Sequence, residues 1–314
     1  MHPAPQPDAS KVRAAVLPVG ELAVEMAGAV REAGLALTDD PAAADALMWC
    51  SAAPDGLPEL LASAPQIRWV QLPYAGVERF VHLTGDDRKW TCAKDIYGLA
   101  VAELALGLMI MALRRIDRYV TMSSWSPLDH RTLSGAHVVI FGAGGIGRAL
   151  TESLRDLGSD ITIVRRSNEP TPGALTVRTG DPAVDIAVAM ADVVVLALPL
   201  THETEGMVDA SFLANMSPTG WLVNVARGRI VVTDDLVEAL RTGAIAGAAL
   251  DVTDPEPLPP GHPLWQLSNC IVTPHVANTP ALGDQELVRL VKENSRRFQT
   301  GEPLLGEIDA EAGY

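Results

Sequence analysis

Short apolar runs alternate with helical segments along most of this 314-residue chain, and this alternation limits the fold more than any other feature. Apolar runs with little polar interruption are typical of strands covered on both faces, as in parallel sheets. A parallel pair also needs a crossover, which a helix usually supplies. The runs predicted as strands are VRAAVLPVG (12–20), ADALMWC (44–50), IRWVQLP (67–73), AHVVIFG (136–142), DITIVR (160–165), ADVVVLALP (191–199), GWLVNVAR (220–227) and IAGAALDV (245–252).

The chain is long enough for two domains, each with its own buried core. We therefore predict the α/β class, with two Rossmann-like or flavodoxin-like parallel-sheet domains and a cleft between them. The predicted domains are residues 1–97 together with 282–314, and residues 98–281. The helical segment ALGDQELVRLVKENSRRFQT (281–300) is predicted to pack back on the first domain.

The most membrane-like run is GLAVAELALGLMIMAL (98–113), which is short for a membrane span and contains Glu103. We interpret it as a helix buried in a large globular core and predict no transmembrane segment. The first ten residues, MHPAPQPDAS, lack the basic and apolar regions of a signal peptide, so we interpret them as a disordered lead-in.

Charge and cysteine usage exclude several classes of partner. The formal charge is -15, with 24 Lys and Arg against 39 Asp and Glu, which argues against nucleic acid and anionic membranes. Cys50, Cys92 and Cys270 are far apart and outside any CxxC spacing. This pattern argues against a disulfide framework and a zinc site, so we predict no metal and a cytoplasmic location.

The segment FGAGGIG joins an apolar run to a helical segment. Gly142 allows a tight turn, Gly144 admits a pyrophosphate, and Gly147 lets helix and strand pack closely. The helix N-terminus then faces the phosphates. The strand before and the helix after favour a dinucleotide site over a structural glycine turn, so the predicted cofactor-binding residues include Gly142, Gly144, Gly145, Ile146 and Gly147.

Three ionisable residues follow apolar runs or lie in loops beside them: Arg227, Glu256 and His275. Each one by itself is typical of a surface charge or a structural histidine. In open α/β sheets, however, ligands bind outside the carboxyl ends of the strands, so charged groups at several such ends converge on one crevice. We predict that this crevice holds a nicotinamide.

The segments GAGGIG, LPLTHETEGMV, LVNVARGRIVVTDDLVEALRTGAIAGAALDVTDPEPLPPGHPLW and TPHVAN together resemble the D-2-hydroxyacid dehydrogenase family. The resemblance covers nearly the whole chain, and the order and spacing of Arg227, Glu256 and His275 agree with the family's catalytic triad. It implies that Arg227 binds the carboxylate and the carbonyl oxygen of a 2-oxo acid. It also implies that His275 is the general acid and that Glu256 orients its ring and favours the imidazolium.

The resemblance assigns further site residues. The segment QLPYAGVE resembles the family's carboxylate-binding loop, which makes residues 1–97 with 282–314 the substrate domain and 98–281 the dinucleotide-binding domain. Asp251 corresponds to an acid that accepts a hydrogen bond from the nicotinamide carboxamide. Asn278 and Thr151 depart from the family pattern, with Asn278 expected to bear on substrate choice and Thr151 on helix packing. The predicted substrate-binding residues are Tyr74, Ala75, Gly76, Val77 and Asn278, and the further cofactor-binding residues are Leu198, Pro199, Thr201, Val225, Ala226 and Asp251.

An arginine pair indicates which cofactor is preferred. Arg165 lies about eighteen residues after Gly147, at the strand end where an NAD site usually places an acid against the ribose. Arg165, Arg166 and Ser167 offer instead charge-assisted hydrogen bonds to a 2'-phosphate. A solvated basic turn is the alternative. We predict NADP(H) as the cofactor, with NAD possible but less favoured.

The predicted function is therefore reversible reduction of a small 2-oxo acid of glyoxylate or hydroxypyruvate type. The segment RYVTMSSWSPLDHRTL, with Tyr119 and Trp125, resembles the family's dimer arm, so a homodimer is expected. A non-catalytic dinucleotide-sensing co-repressor is the alternative from another class. Relatives acting on formate, phosphite or 3-phosphoglycerate are the alternatives among enzymes, because spacing does not reveal pocket detail.

Overall fold

The fold is that of a computed structural model, which describes residues 12–314 apart from the side chains of residues 280 and 281. The predicted lead-in lies outside the described residues. The chain divides into two compact units. The first combines the chain up to Ile96 with Pro280–Tyr314, and the second is Tyr97–Thr279. The predicted boundaries, after residues 97 and 281, are one and two residues later in the chain than the boundaries in the structure.

In the described part of the first unit, five parallel strands form a sheet in the order β2-β1-β3-β4-β5. This order is flavodoxin-like. The C-terminal helix α9 packs on α1, where Lys292 Nζ lies 2.8 Å from Glu32 Oε2. The elements are β1 (Arg13–Leu17), α1 (Glu21–Glu32), β2 (Ala36–Leu37), β3 (Ala46–Trp49), α2 (Leu57–Ser63), β4 (Trp69–Gln71), β5 (Lys89–Thr91) and α9 (Pro280–Thr300).

The second unit contains a seven-stranded parallel sheet in the order β12-β11-β10-β9-β6-β7-β8. Counted from β6, this is the Rossmann order with one additional strand, and the order reverses between β6 and β9. The elements are α3 (Gly98–Leu113), α4 (Ile116–Tyr119), β6 (His137–Phe141), α5 (Gly145–Asp156), β7 (Asp160–Arg165), β8 (Leu175–Arg178), α6 (Ala183–Met190), β9 (Val193–Leu196), α7 (Ala210–Asn215), β10 (Trp221–Asn224), α8 (Thr233–Thr242), β11 (Gly247–Leu250) and β12 (Cys270–Val272).

The predicted α/β class with two parallel sheets is confirmed, and each of the eight apolar runs contains a strand. The sequence does not predict β2, β5, β8 and β12. All four lie at the edges of the two sheets. An edge strand has one neighbour and is often short, so its apolar run is weaker than that of a central strand.

Helix α3 has the span of the most membrane-like run. One face is buried, as Ala105 and Met109 show, but Leu99 is 74% exposed. The helix predicted to lie in a globular core is therefore buried along one face and exposed along the other. No helix in the described part of the chain is long and apolar enough to cross a bilayer.

Candidate active site

His275 and Glu256 are in direct contact in the second unit. The Nδ1 atom of His275 lies 2.7 Å from Oε1 of Glu256, and both side chains are partly exposed. Because Nδ1 is engaged, the Nε2 atom of the ring is the one left to face a ligand. The structure thus brings together two of the three predicted catalytic residues.

His275 lies in a loop that Asp251 holds in place. The His275 N–H donates to the Asp251 carbonyl at 2.8 Å. The Asp251 carboxylate accepts from Thr273 Oγ1 at 2.6 Å, Val276 N–H at 2.9 Å and Ala277 N–H at 3.0 Å. His275 has a φ of 52°, a left-handed conformation that costs a non-glycine residue about 1 kcal/mol or more. The bonds to Asp251 maintain this conformation.

Asp251 was predicted to accept a hydrogen bond from a nicotinamide carboxamide. Asp251 is 2% exposed. Its carboxylate accepts hydrogen bonds from the Thr273 side chain and from two backbone N–H groups of the His275 loop. The carboxamide contact stays a prediction. The observed bonds give Asp251 a positioning role for His275 that sequence reasoning missed.

Arg227 follows β10 and is positioned in a similar way. The buried Asn224 donates from Nδ2 to the Arg227 carbonyl at 2.9 Å and accepts at Oδ1 from Ala226 N–H at 3.0 Å. A Cβ on the next residue, Gly228, would lie 2.0 Å from the carbonyl of Thr253. The loop that carries Arg227 therefore packs backbone to backbone against the loop that leads to Glu256.

The glycine-rich turn between β6 and α5 has the shape that a dinucleotide requires. Gly142 has a φ of 115°, and a Cβ there would lie 2.1 Å from the Ala197 carbonyl oxygen. A Cβ on Gly147 would lie 2.0 Å from the Gly142 carbonyl oxygen. Gly144 caps α5, whose first residues are Gly145 and Ile146. The turn lies where the strand order reverses, which is the ligand-binding position of such sheets.

The other predicted cofactor residues lie at the ends of β9 and β10. Thr204, which sequence reasoning missed, closes the loop after Leu198: its Oγ1 donates to the Pro199 carbonyl at 2.7 Å and accepts from Thr201 N–H at 2.8 Å. The side chains of Val225 and Ala226 are buried in the core. A ligand at these two positions would therefore meet backbone atoms.

Arg165 ends β7, and the side chains that lie beside its guanidinium include charged and polar ones. Its Nη2 lies 2.8 Å from Oε2 of Glu169, and Arg166 and Ser167 follow it in an exposed turn. Arg178 is the register partner of Arg165 on β8, and its Nε donates to the Arg166 carbonyl at 3.2 Å. Sequence reasoning missed Arg178 because it did not predict β8.

In the first unit, the predicted carboxylate loop follows β4. Tyr74 and Ala75 are exposed, Gly76 is half-buried, and the Val77 side chain lies in the core. Within the described residues, the amide groups of Gly76 and Val77 donate no hydrogen bond to another residue. The buried Gln71 supports the loop, since its Nε2 donates to the carbonyl of the next residue at 2.9 Å.

The two departures from the family pattern differ in their surroundings. Thr151 is buried in α5, and its Oγ1 donates to the Gly147 carbonyl at 2.7 Å, so the hydroxyl is satisfied within the helix. The Asn278 Oδ1 atom is buried without a hydrogen-bond partner among the described residues. An unpaired buried acceptor of this kind is available to a ligand donor.

The cysteines offer no nucleophile. All three are free, and burial raises the pKa of the Cys50 and Cys270 thiols to about 12 and that of Cys92 to about 11. A thiol with such a pKa is protonated near neutral pH. Over the described residues, no cluster of three or more His, Cys, Asp or Glu side chains could hold a metal ion.

Comparison with known proteins identifies the family. Residues 106–277 match the model of the NAD binding domain of D-isomer specific 2-hydroxyacid dehydrogenases. The glyoxylate/hydroxypyruvate reductase A of Klebsiella pneumoniae is 33% identical over 220 residues, which are 69% of this chain and 70% of that protein.

Two solved structures share the fold of nearly the entire chain. A D-isomer specific 2-hydroxyacid dehydrogenase from Xanthobacter autotrophicus, in complex with NADPH and MES, has a TM-score of 0.87 at 28% identity and covers 97% of this chain and 100% of its own. The NADPH-dependent glyoxylate/hydroxypyruvate reductase of Sinorhizobium meliloti, with NADP and sulfate, has a TM-score of 0.82 at 27% identity, with the same coverage. The resemblance is confirmed: this chain belongs to the D-2-hydroxyacid dehydrogenase family of oxidoreductases, which act on small 2-hydroxy acids.

Proposed function

We propose that this chain reversibly reduces small 2-oxo acids of glyoxylate or hydroxypyruvate type and prefers NADP(H) to NAD(H). The observation that carries the proposal is the 2.7 Å contact between His275 Nδ1 and Glu256 Oε1. A histidine oriented by a carboxylate is suited to general acid catalysis. The name of the Klebsiella pneumoniae relative supports the substrate class.

The residues at the glycine-rich turn fit a dinucleotide. Gly142 and Gly147 leave space that a Cβ would fill, so the backbone can approach a pyrophosphate closely. The N-terminus of α5, which spans twelve residues, directs its first N–H groups at the same place. When bound, the nicotinamide supplies the hydride that is added to C2 of the oxo acid.

The side chains provide the rest of the reaction. Arg227 offers a planar fork of donors, which binds the substrate carboxylate and polarises the carbonyl group. His275 donates a proton from Nε2 to the carbonyl oxygen, which becomes the hydroxyl of the product, and takes it back in the oxidative direction. Glu256 keeps the ring oriented through Nδ1 and balances its positive charge.

The first unit supplies the carboxylate loop in our proposal. We assign residues 1–97 with 282–314 to the substrate domain and residues 98–281 to the dinucleotide domain. The N–H groups of Gly76 and Val77, which donate to no other residue in the described part of the chain, suit a carboxylate, with Tyr74 and Ala75 beside them. The Asn278 Oδ1 atom, which has no partner among the described residues, suits a hydroxyl donor. Hydroxypyruvate carries such a hydroxyl group, and glyoxylate does not.

The preference for NADP rests on the end of β7. Arg165, Arg166 and Ser167 offer donors to a 2'-phosphate where an NAD site usually places an acid. The solved relatives from Xanthobacter autotrophicus and Sinorhizobium meliloti bind NADPH and NADP. Both observations support NADP(H) as the favoured cofactor, with NAD(H) the weaker one.

We also propose a homodimer formed through α4 and the segment after it. Trp125 is fully exposed and Val120 is 74% exposed, while Tyr119 OH accepts a hydrogen bond from Leu128 N–H at 2.7 Å that fixes the segment. An exposed tryptophan on an ordered segment is typical of an interface. Light scattering of the purified protein measures the mass directly. The cytoplasmic location stays a prediction.

A turnover screen tests the proposed function. The purified protein is assayed with NADPH and NADH against glyoxylate, hydroxypyruvate and larger 2-oxo acids, and with NADP and NAD against formate, phosphite and 3-phosphoglycerate. We expect turnover of the small oxo acids. Cofactor binding without turnover of any of these compounds would favour a non-catalytic dinucleotide sensor, and turnover of formate, phosphite or 3-phosphoglycerate alone would reassign the substrate.

A further inference from the structure

Two arginines lie side by side at the carboxyl ends of β7 and β8. Arg165 and Arg178 are register partners in this parallel pair. Partners on neighbouring strands are about 4.8 Å apart and project their side chains to the same face. Like charges in such a pair destabilise a sheet. A negative group at this strand end would therefore stabilise the pair.

Glu169 supplies one negative group from within the chain. Its carboxylate contacts Arg165 Nη2 at 2.8 Å, and its carbonyl accepts from Arg165 Nη1 at 3.1 Å. The Glu169 side chain is 73% exposed, whereas that of Arg165 is 23% exposed. An ion pair with so exposed a partner is weak, so a stronger anion can replace the carboxylate.

Arg178 adds a third guanidinium to the two that the sequence predicts. Within the described structure, its side chain donates one hydrogen bond, from Nε to the Arg166 carbonyl. The two Nη groups remain for a ligand. A phosphate monoester carries a charge of about -1.5 to -2 and accepts paired N–H bonds from a guanidinium fork.

We infer that Arg178 is a phosphate-binding residue of this strand end and that Glu169 is an internal counter-ion, which a ribose phosphate displaces from Arg165. The inference rests on the proposed function, because it takes the end of β7 to be the ribose site of NADP. Arg178 raises the affinity for the phosphate, and Glu169 lowers it. Neither residue changes the affinity for an adenosine nucleotide that lacks the 2'-phosphate.

Calorimetric titration of the full chain with adenosine 2',5'-bisphosphate and with 5'-AMP tests this without turnover. We expect R178Q to weaken bisphosphate binding about tenfold, the loss of one charged hydrogen bond. We expect E169Q to strengthen it about two- to fivefold, as for an exposed ion pair. Binding of 5'-AMP should change in neither variant.

The matched control is E238Q. It removes a carboxylate from the exposed Arg241–Glu238 pair on α8, whose Nη2 and Oε2 atoms are 2.6 Å apart, and alters the net charge as E169Q does. This helix end leads to the amino end of β11, on the opposite side of the sheet from β8. We expect no change in the binding of either nucleotide. Thermal melting verifies that each variant is folded.

The outcomes separate this inference from the cofactor proposal. If R165Q weakens bisphosphate binding but R178Q and E169Q do not, the inference is overturned and the proposed NADP preference stands. If the wild-type protein binds the two nucleotides equally, the proposed preference fails, and the inference fails with it. Weaker bisphosphate binding by E169Q would overturn the counter-ion role by itself.

Discussion

Two predicted catalytic residues, Arg227 and His275, are held by buried polar side chains at the carboxyl ends of β10 and β11. At the ends of β7 and β8, by contrast, Arg165 pairs with an exposed partner. Asn224 and Asp251 are 1% and 2% exposed, and they hold the backbone at Arg227 and His275. The Arg165–Glu169 pair is in contact with solvent. The backbone at Arg227 and His275 is therefore held in place by buried groups, whereas the Arg165 side chain can exchange its partner.

This difference follows from the energies of the two kinds of contact. A hydrogen bond between neutral groups, as at Asn224, contributes about 0.5 to 1.5 kcal/mol, and one to a charged group, as at Asp251, about 1.5 to 3 kcal/mol. An exposed ion pair contributes about 0 to 1 kcal/mol. Catalysis depends on geometry, and a displacement of about 1 Å can cost roughly a hundredfold in rate. Selection between two cofactors by a phosphate depends mainly on charge. Substitutions in the first region should therefore change kcat, and substitutions in the second should change cofactor preference.

The largest expected effect is that of His275→Ala. Removing the general acid should lower kcat by about 10² to 10⁴, while the affinity for NADPH changes little. Steady-state assays and a fluorescence titration of NADPH measure the two quantities. The control is His82→Ala, which removes an exposed histidine of the first unit. A kcat near that of the wild type would remove His275 from the reaction.

Arg227→Lys should have the next largest effect. The ammonium group keeps the charge but loses the bidentate fork, so KM for the oxo acid should rise and kcat should fall, by about 10- to 100-fold in kcat/KM. Arg229→Lys is the matched control, because Arg229 is exposed and pairs with Glu205. An unchanged kcat/KM in Arg227→Lys would place this arginine outside the site.

Asp251→Asn separates the observed role of Asp251 from the predicted one. The amide loses one acceptor oxygen for the loop at 273–277, so we expect a lower melting temperature and a fall in kcat of about tenfold with little change in KM for NADPH. Loss of a carboxamide contact would instead raise KM for the cofactor. That second pattern, with kcat and melting unchanged, would contradict the positioning role.

The smallest effect concerns exposed charges on α9. Side-chain hydrogen bonds from Arg296 lower the pKa of Glu293 and of Glu302 to about 2, from an ordinary value of 4.5. Stability from this cluster is present above pH 4.5 and is lost as the pH falls towards 2. Because both carboxylates are exposed, the loss of stability on acidification should be small, and it should be smaller still in high salt.

Thermal melting between pH 6 and pH 2, at low and high salt, measures this loss of stability. Glu293→Gln should lower the melting temperature slightly at pH 6 and low salt and should match the wild type near pH 2, so its melting temperature depends less on pH. A variant that melts like the wild type at every pH would show that this cluster contributes nothing to stability.

The strands that the sequence predicts and those that it misses differ in position. The central strands are apolar on both faces and stand out from the sequence, whereas β2, β5, β8 and β12 lie at the sheet edges. Missing β8 also hid Arg178, because only the pairing of β7 with β8 brings it beside Arg165.

The candidate site also contains residues that the sequence predicts and residues that it misses. The predicted contact of His275 with Glu256 is present, since a family pattern fixes the residues at the strand ends. The roles of Asn224, Thr204 and Glu169 depend on side-chain hydrogen bonds across a turn, which neither periodicity nor motif spacing encodes. Buried polar residues at strand ends are the signal that would have indicated Asn224.

The most direct test of the account is the ratio of kcat/KM for NADPH to that for NADH, measured with hydroxypyruvate in the wild type and in Arg165→Asp. Each charged hydrogen bond to the 2'-phosphate contributes about one to two powers of ten in affinity. We expect the wild type to prefer NADPH at least tenfold, and Arg165→Asp to reverse much of that preference without lowering kcat at saturating cofactor. Equal use of the two cofactors by the wild type, or a preference for NADH, would contradict the account.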